Sequence, residues 1–332
     1  MRRLKSIFIC LAFVLSGQLL HAQQLSQFSQ YLHNPILLNP ATAGINNNIN
    51  MKLSYRNQWT GFTNAPESYY FSVDGTLGGG VKGNTLSSSR RGYTEVKKSK
   101  KTIGHGVGAY VLVDSYGAFT NTSGYLTYAL HLSITESIKL SLGLAAGMSG
   151  WKLNSDRVQV ADPNDATFDY LLALGLKKTF FDMNSGLWVY SDEFYVGYSS
   201  EQLLQNQLRN IDIPAETKIS IHHYVTGGYV FYINPDLSLT PSLMVKYMRP
   251  APTSMDLNVK ANYKEHLWGG VSYRTNDAVV IMVGYNIKYK YNIGYSYDVT
   301  LSELKKYSSG SHEIVLGYKF YKDKKRSTIS FL

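Results

Sequence analysis

The chain has 332 residues, 33 Lys and Arg against 23 Asp and Glu, and one cysteine, Cys10, inside an N-terminal apolar run. Beyond that run, disulfides, zinc–thiolate sites and cysteine nucleophiles are excluded. No later stretch offers 18 consecutive apolar residues, which excludes helical membrane spans, and the modest basic excess implies affinity for anionic surfaces rather than nucleic-acid binding.

Residues 1–22 read as a secretory signal peptide, with Arg2, Arg3 and Lys5 ahead of the apolar run Ile7 to Leu15 and Ala22 as the small residue before cleavage. The run is too short for an anchor helix, which needs about 20 residues. Three basic residues and no acidic ones leave with it, so the mature chain carries +7. Residues 23–47 lack period-two patterning and contain the turn formers Asn34-Pro35 and Asn39-Pro40, ending in Ala43-Gly44. Such a segment cannot span a bilayer as a strand, so it lies in the periplasm or folds into a lumen.

From residue 48 the pattern changes. Fourteen segments with strand character follow, near 48–59, 67–75, 104–113, 122–134, 138–151, 184–190, 193–199, 219–233, 237–248, 254–263, 267–275, 278–287, 289–298 and 312–321. In Ile49–Arg56 and Met255–Tyr263 apolar and polar residues alternate strictly. Successive strand side chains point to opposite faces, so each segment makes a ribbon with one apolar and one polar face. The polar face carries Lys52, Arg56, Lys139, Asp256, Lys260 and Asp298, and the apolar face ends repeatedly in Tyr. A soluble sandwich also uses such ribbons, but charge inside and tyrosine at the ends of an apolar face fit lipid-facing strands around a wet lumen. The fold expected is all-β: a transmembrane barrel of about 14 antiparallel strands over residues 48–321, followed by a tail over 322–332.

Connection lengths agree with an outward-running first strand. Thr135-Glu136-Ser137, Ser191-Asp192-Glu193, Asn234-Pro235-Asp236 and Lys264-Glu265-His266 are short and polar, as periplasmic turns are, whereas 152–183, 200–218 and 299–311 are long. Residues 76–103 fall on the periplasmic side yet are long. Gly78-Gly79-Gly80, Arg90-Arg91 and Lys97–Lys101 make them a basic insertion rather than a missed strand pair.

Several blocks resemble one family. Phe28-Ser29-Gln30-Tyr31, Asn34-Pro35, Asn39-Pro40-Ala41 and Ala43-Gly44 are similar to the opening of type IX secretion system membrane proteins of the PorP/SprF family. Tyr55-Arg56-Asn57-Gln58-Trp59-Thr60-Gly61 with Pro66 resembles its next block. The closing region, Leu267-Trp268-Gly269-Gly270, Ser272-Tyr273-Arg274, Gly294–Asp298 and Gly310–Ile314, agrees in order. The resemblance implies a barrel in the outer membrane of a Gram-negative cell that supports secretion or surface attachment of cargo bearing a C-terminal sorting domain, including gliding adhesins. The partners it implies are that cargo, other type IX components, outer-membrane lipid and, for some members, a peptidoglycan-binding periplasmic protein. The length of 76–103 and the ending Ser330-Phe331-Leu332 depart from the family pattern.

On this basis the candidate partner-binding or plug residues are Phe28, Ser29, Gln30, Tyr31, Asn34, Pro35, Asn39, Pro40, Gly44, Tyr55, Arg56, Gln58 and Trp59. The structural alternative for the same blocks is barrel closure and plug packing.

Catalytic and ligand chemistry is not expected. Gly104-His105-Gly106-Val107-Gly108 lies inside a strand pattern, where glycines make room for neighbours rather than cradle a phosphate at a helix start. His222 and His223 are adjacent on a strand and face opposite ways. Asp156, Asp162, Asn164, Asp165 and Asp169 share a long loop without an EF-hand spacing. No Ser–His–Asp constellation, cofactor motif or metal set emerges. A passive porin for small solutes is the alternative function.

Overall fold

The computed structural model describes residues 27–46, 48–78, 103–158, 177–206, 219–288 and 290–321. The expected signal peptide, most of the basic insertion, the Asp162–Asp169 part of the acidic loop and the C-terminal tail lie outside these residues.

Period-two alternation becomes one antiparallel sheet that closes on itself. Its strands are β1 (Asn48–Asn57), β2 (Glu67–Leu77), β3 (Ile103–Tyr116), β4 (Phe119–Ser133), β5 (Lys139–Leu153), β6 (Lys177–Tyr190) and β7 (Phe194–Glu201). They continue with β8 (His222–Tyr229), β9 (Phe231–Asn234), β10 (Leu237–Tyr247), β11 (Ser254–Tyr263), β12 (Leu267–Arg274), β13 (Ala278–Ile287), β14 (Tyr291–Thr300) and β15 (Ser311–Tyr321). Apart from β8 and β9, each pairs with its sequence neighbours, and β15 pairs with β1, which closes the sheet into a cylinder. Strands β8 and β9 both pair with β10 and are separated at Val230, so they fill one wall position and the barrel has 14 staves. Closure matters physically, because an unpaired strand edge facing lipid would strand its N–H and C=O groups without partners.

All fourteen predicted segments become wall strands; most ends shift by up to three residues, and two segments change more. Strand β6 starts at Lys177 rather than 184, because Phe181 points out and Asp182 points in, continuing the alternation into what composition reads as loop. The 219–233 segment is broken at Val230, whose buried side chain packs with Trp188, Tyr190 and Tyr195 and whose N–H donates to Glu193 O (2.6 Å) instead of the ladder.

Outward positions carry large apolar side chains, such as Leu53, Phe71, Leu126, Leu144, Leu257 and Ile281. Tyrosines mark both rims of this band. The Tyr55 and Tyr69 rings meet at 4.9 Å at the end where β1 finishes, and Tyr291 and Tyr318 meet at 5.2 Å at the end where it starts. Rings with apolar faces and polar hydroxyls suit the membrane interface. The turns after β4, β7's predecessor β6, β9, β11 and β13 all lie on the rim where β1 begins, as do the two ends of the basic insertion, Leu77 and Ile103. Short turns mark that rim as the periplasmic one.

Inside the wall runs the segment that precedes β1. It makes three single turns of 3-10 helix, Tyr31–His33, Pro35–Leu37 and Pro40–Thr42. Pro35 and Pro40 start the second and third, and the residue before a proline is pushed out of the helical region, so the turns cannot merge. The wall accommodates this plug with glycine. A Cβ on Gly106 would fall on Ala43 O, and one on Gly143 would fall on Ala41 N. Gly44 sits at φ +66°, where a side chain is strained, and its own Cβ would lie 2.6 Å from Gly75 O.

This packing predicts that Gly106→Val displaces the plug and leaves the wall intact, at a cost of about 1–3 kcal/mol. Detergent-purified variant should keep the anomalous gel mobility of a folded barrel while its conductance in planar bilayers rises above that of the unmodified chain. Unchanged conductance would mean that the plug is not held by this contact.

Candidate functional site

The lumen has two unlike sides, and the plug is built to match each. Toward β2–β8 it presents apolar groups. Phe28 and Leu37 pack with Tyr70, Tyr110, Tyr125 and Ala145, the Phe28 and Tyr70 rings meeting edge-on at 5.0 Å. Ile36 and Ala43 pack on Ala129, and Ala41 on Trp188, Tyr190 and Tyr195. Tyr110 and Tyr125 anchor their hydroxyls on Asn184 and Asp182.

Toward β10–β15 and β1 the lumen is charged. Arg56 is 1% exposed and reaches Asp298 at 2.8 Å and Glu313 at 3.3 Å. Ser29 of the plug completes this centre: its hydroxyl accepts from Arg56 (2.8 Å) and donates to Asp298 (2.7 Å), and its N–H donates to Glu313 (2.6 Å). Gln30 adds its own N–H and side-chain amide to Glu313. Asp298 also meets Arg274 (3.4 Å), which in turn pairs with Asp277 and Asp256, and Asp256 pairs with Lys246. With its amide oriented by these neighbours, Gln27 accepts from Lys246 (3.0 Å) and Arg274 (2.9 Å). Three cations and four carboxylates, from six strands and the turn after β12, thus converge on plug residues 27–30.

Further along, the plug is pinned by single polar contacts. Asn258 donates to the Tyr31 hydroxyl (2.6 Å) and Asn34 to Ser72 (2.9 Å). Asn39 caps the third turn by accepting from Ala41 N–H, and its amide donates to the carbonyls of Leu187 and Tyr198 (3.1 Å each), tying β6 to β7. Ser141 donates to Ala41 O, and Gly44 N–H reaches Asp74.

The predicted site residues therefore divide. Phe28, Ser29, Gln30, Tyr31, Asn34, Pro35, Asn39, Pro40 and Gly44 belong to the plug. Arg56, Asp256, Lys260 and Asp298 are buried lumen residues, Lys52 is half-buried there, and Lys139 sits 5.7 Å from the Tyr190 ring near the short-turn rim. Tyr55 is corrected: it lies on the outer surface against Tyr69, one strand position from Arg56 and therefore on the opposite face. Gln58 and Trp59 follow β1 in the long-loop rim, where their N–H groups donate to Pro66 O and the Ser311 hydroxyl. Glu313, Arg274 and Lys246 were not singled out, although the inward phase of their strands was readable. No group of three or more metal-ligating side chains occurs among the described residues.

Removing Arg56 leaves Glu313 buried without its cation and Asp298 with Arg274 alone, which costs about 3–5 kcal/mol. Arg56→Met should lower the temperature at which the barrel loses its folded gel mobility, whereas Lys306→Met, in an exposed pair with Glu303, should not. Equal midpoints for the two variants would remove Arg56 from its central place.

Comparison with solved structures returns barrels. The monoaromatic hydrocarbon channel CymD aligns over 90% of this chain and 94% of its own at 10% identity and a TM-score of 0.50. A deletion mutant of the TodX monoaromatic hydrocarbon channel covers 87% and 94% at 9% identity and 0.50. The toluene transporter TbuX of Ralstonia pickettii covers 88% and 93% at 11% identity and 0.49. At these identities the likeness is one of fold. No curated protein matches the sequence. The family model for the type IX secretion system membrane protein PorP/SprF matches residues 20–318. A barrel with this span of agreement has one assignment: the chain belongs to the PorP/SprF family of type IX secretion system membrane proteins.

Proposed function

We propose that this protein is a non-enzymatic accessory of type IX secretion in the outer membrane, exported by its N-terminal signal, that holds or hands on cargo bearing a C-terminal sorting domain at the cell surface. The observation that carries the reading is the plug. A lumen crossed by residues 27–46 and bonded to them on both sides is poorly suited to passive diffusion. A structural plug at the centre leaves the loop rim, with Trp59 and the long connections, as the surface offered to cargo, and the periplasmic rim with its basic insertion as the surface offered to other components of the machinery.

The test is native: affinity purification of the full chain from its own outer membrane after cross-linking. Recovery of a sorting-domain protein or another type IX component is the expected outcome. A clean monomer with large, steady conductance in planar bilayers would establish the porin reading instead.

A further inference from the structure

On its charged side the lumen matches carboxylates with lysine and arginine. The aromatic side holds a carboxyl group that is left over. Glu201 ends β7 and is 9% exposed, yet it makes no hydrogen bond or ion pair among the described residues. Its neighbours in the sheet bring no fixed cation. Ser200 pairs with Ser185, which sets Glu201 opposite Asn184 of β6, with Asp182 diagonally beyond on the same inward face. On its other side the register partner is His222 of β8, with which it forms no ion pair. The polar groups around it are engaged elsewhere. Asn184 donates to the Tyr110 hydroxyl and accepts from Gln202 N–H, Tyr125 donates to Asp182, and Ser149 donates to Asn121.

Glu201 borders a cavity of about 50 Å³ between plug and wall. Phe28 and Leu37 of the plug form one side of it, and Tyr110, Tyr125 and Tyr224 of the wall another. Ser123, near the start of β4, and Glu201, at the end of β7, both lie toward the long-loop rim, so the cavity sits on the outer side of the plug. No lysine, arginine or histidine lines it. The Tyr110 and Tyr125 rings stack at 5.2 Å, and ring faces carry negative potential. A carboxyl group buried in such surroundings gives up its charge or meets a cation brought from outside.

We propose that the cavity around Glu201 is a binding site for a small primary ammonium ion, with Glu201 accepting its N–H groups and Phe28 and Leu37 covering its hydrocarbon part. A single carboxylate among rings and alkyl groups suits an organic cation, whereas a hard metal ion asks for about six oxygen ligands or more. The space admits roughly four water-sized groups, which sets the ligand near the size of propylammonium. Because Phe28 and Leu37 belong to the plug and Glu201 to the wall, the bound cation touches both. The site is independent of the cargo reading above.

Isothermal titration of the full chain in detergent with propylammonium chloride, at ionic strength held constant by sodium chloride, tests the site, and n-propanol is the uncharged match. Saturable binding of the amine that the alcohol does not reproduce is the expected result. Glu201→Gln removes the charge at nearly constant shape and should weaken binding about tenfold or more. Ser123→Leu keeps the carboxylate but fills the space, and should weaken binding to a similar degree; it carries the test if Glu201→Gln loses the folded gel mobility. No saturable binding of propylammonium to the unmodified chain, equal binding of the alcohol, or unchanged affinity in either folded variant overturns the proposal.

Discussion

The architecture depends on one buried ion-pair centre, Arg56 with Asp298 and Glu313, closed by Ser29. Its members are separated by up to 284 residues, and the contact between Ser29 and Glu313 brings together the start of the plug and the last strand. Each group alone would be expensive to bury, and their mutual attraction repays that only when geometry and remaining hydrogen bonds are complete. Here they are nearly so, because the Ser29 hydroxyl bridges cation and carboxylate while two plug N–H groups occupy Glu313. Such a centre selects one arrangement of plug and wall rather than adding much net stability.

The two sides of the lumen use different physics for the same purpose. The aromatic side holds the plug by area and shape, with Phe28, Ile36 and Leu37 against tyrosines and small residues. That contact is non-directional and tolerates small shifts. The charged side is directional and tolerates few. Together they fix both the depth and the rotation of a segment that has hardly any regular structure of its own.

Much of this was legible in the sequence because a barrel wall is a repetitive object. Side-chain alternation reveals the strands, and once Lys52 and Arg56 are placed inward the same phase places Asp256, Lys260 and Asp298. The Phe28–Gly44 segment stood out because it lacks the alternation and carries two Asn-Pro steps. Pairings across the lumen have no local signature, so Glu313 and Arg274 could be put on the inner face but not matched to Ser29 or Asp298. Tyr55 was grouped with Arg56 because a contiguous block hides the fact that neighbours on a strand face opposite media. The strand reading begins at Asn184 rather than Lys177 because Asp182 looks like a loop residue until Tyr125 is found facing it.

The seam between β15 and β1 joins the last strand to the first, so it pairs residues such as Arg56 and Glu313 that lie 257 apart in sequence. Contacts of such separation form late, after the entropy of closing the long loop between them has been met. Arg56 is contributed by one side of that seam and Glu313 by the other, and Ser29 arrives from the strandless leader. The plug's polar anchor therefore does not exist in an open sheet. A chain that has inserted its staves without joining first to last would have an empty, unanchored lumen, and seating of the plug would report that the cylinder has closed.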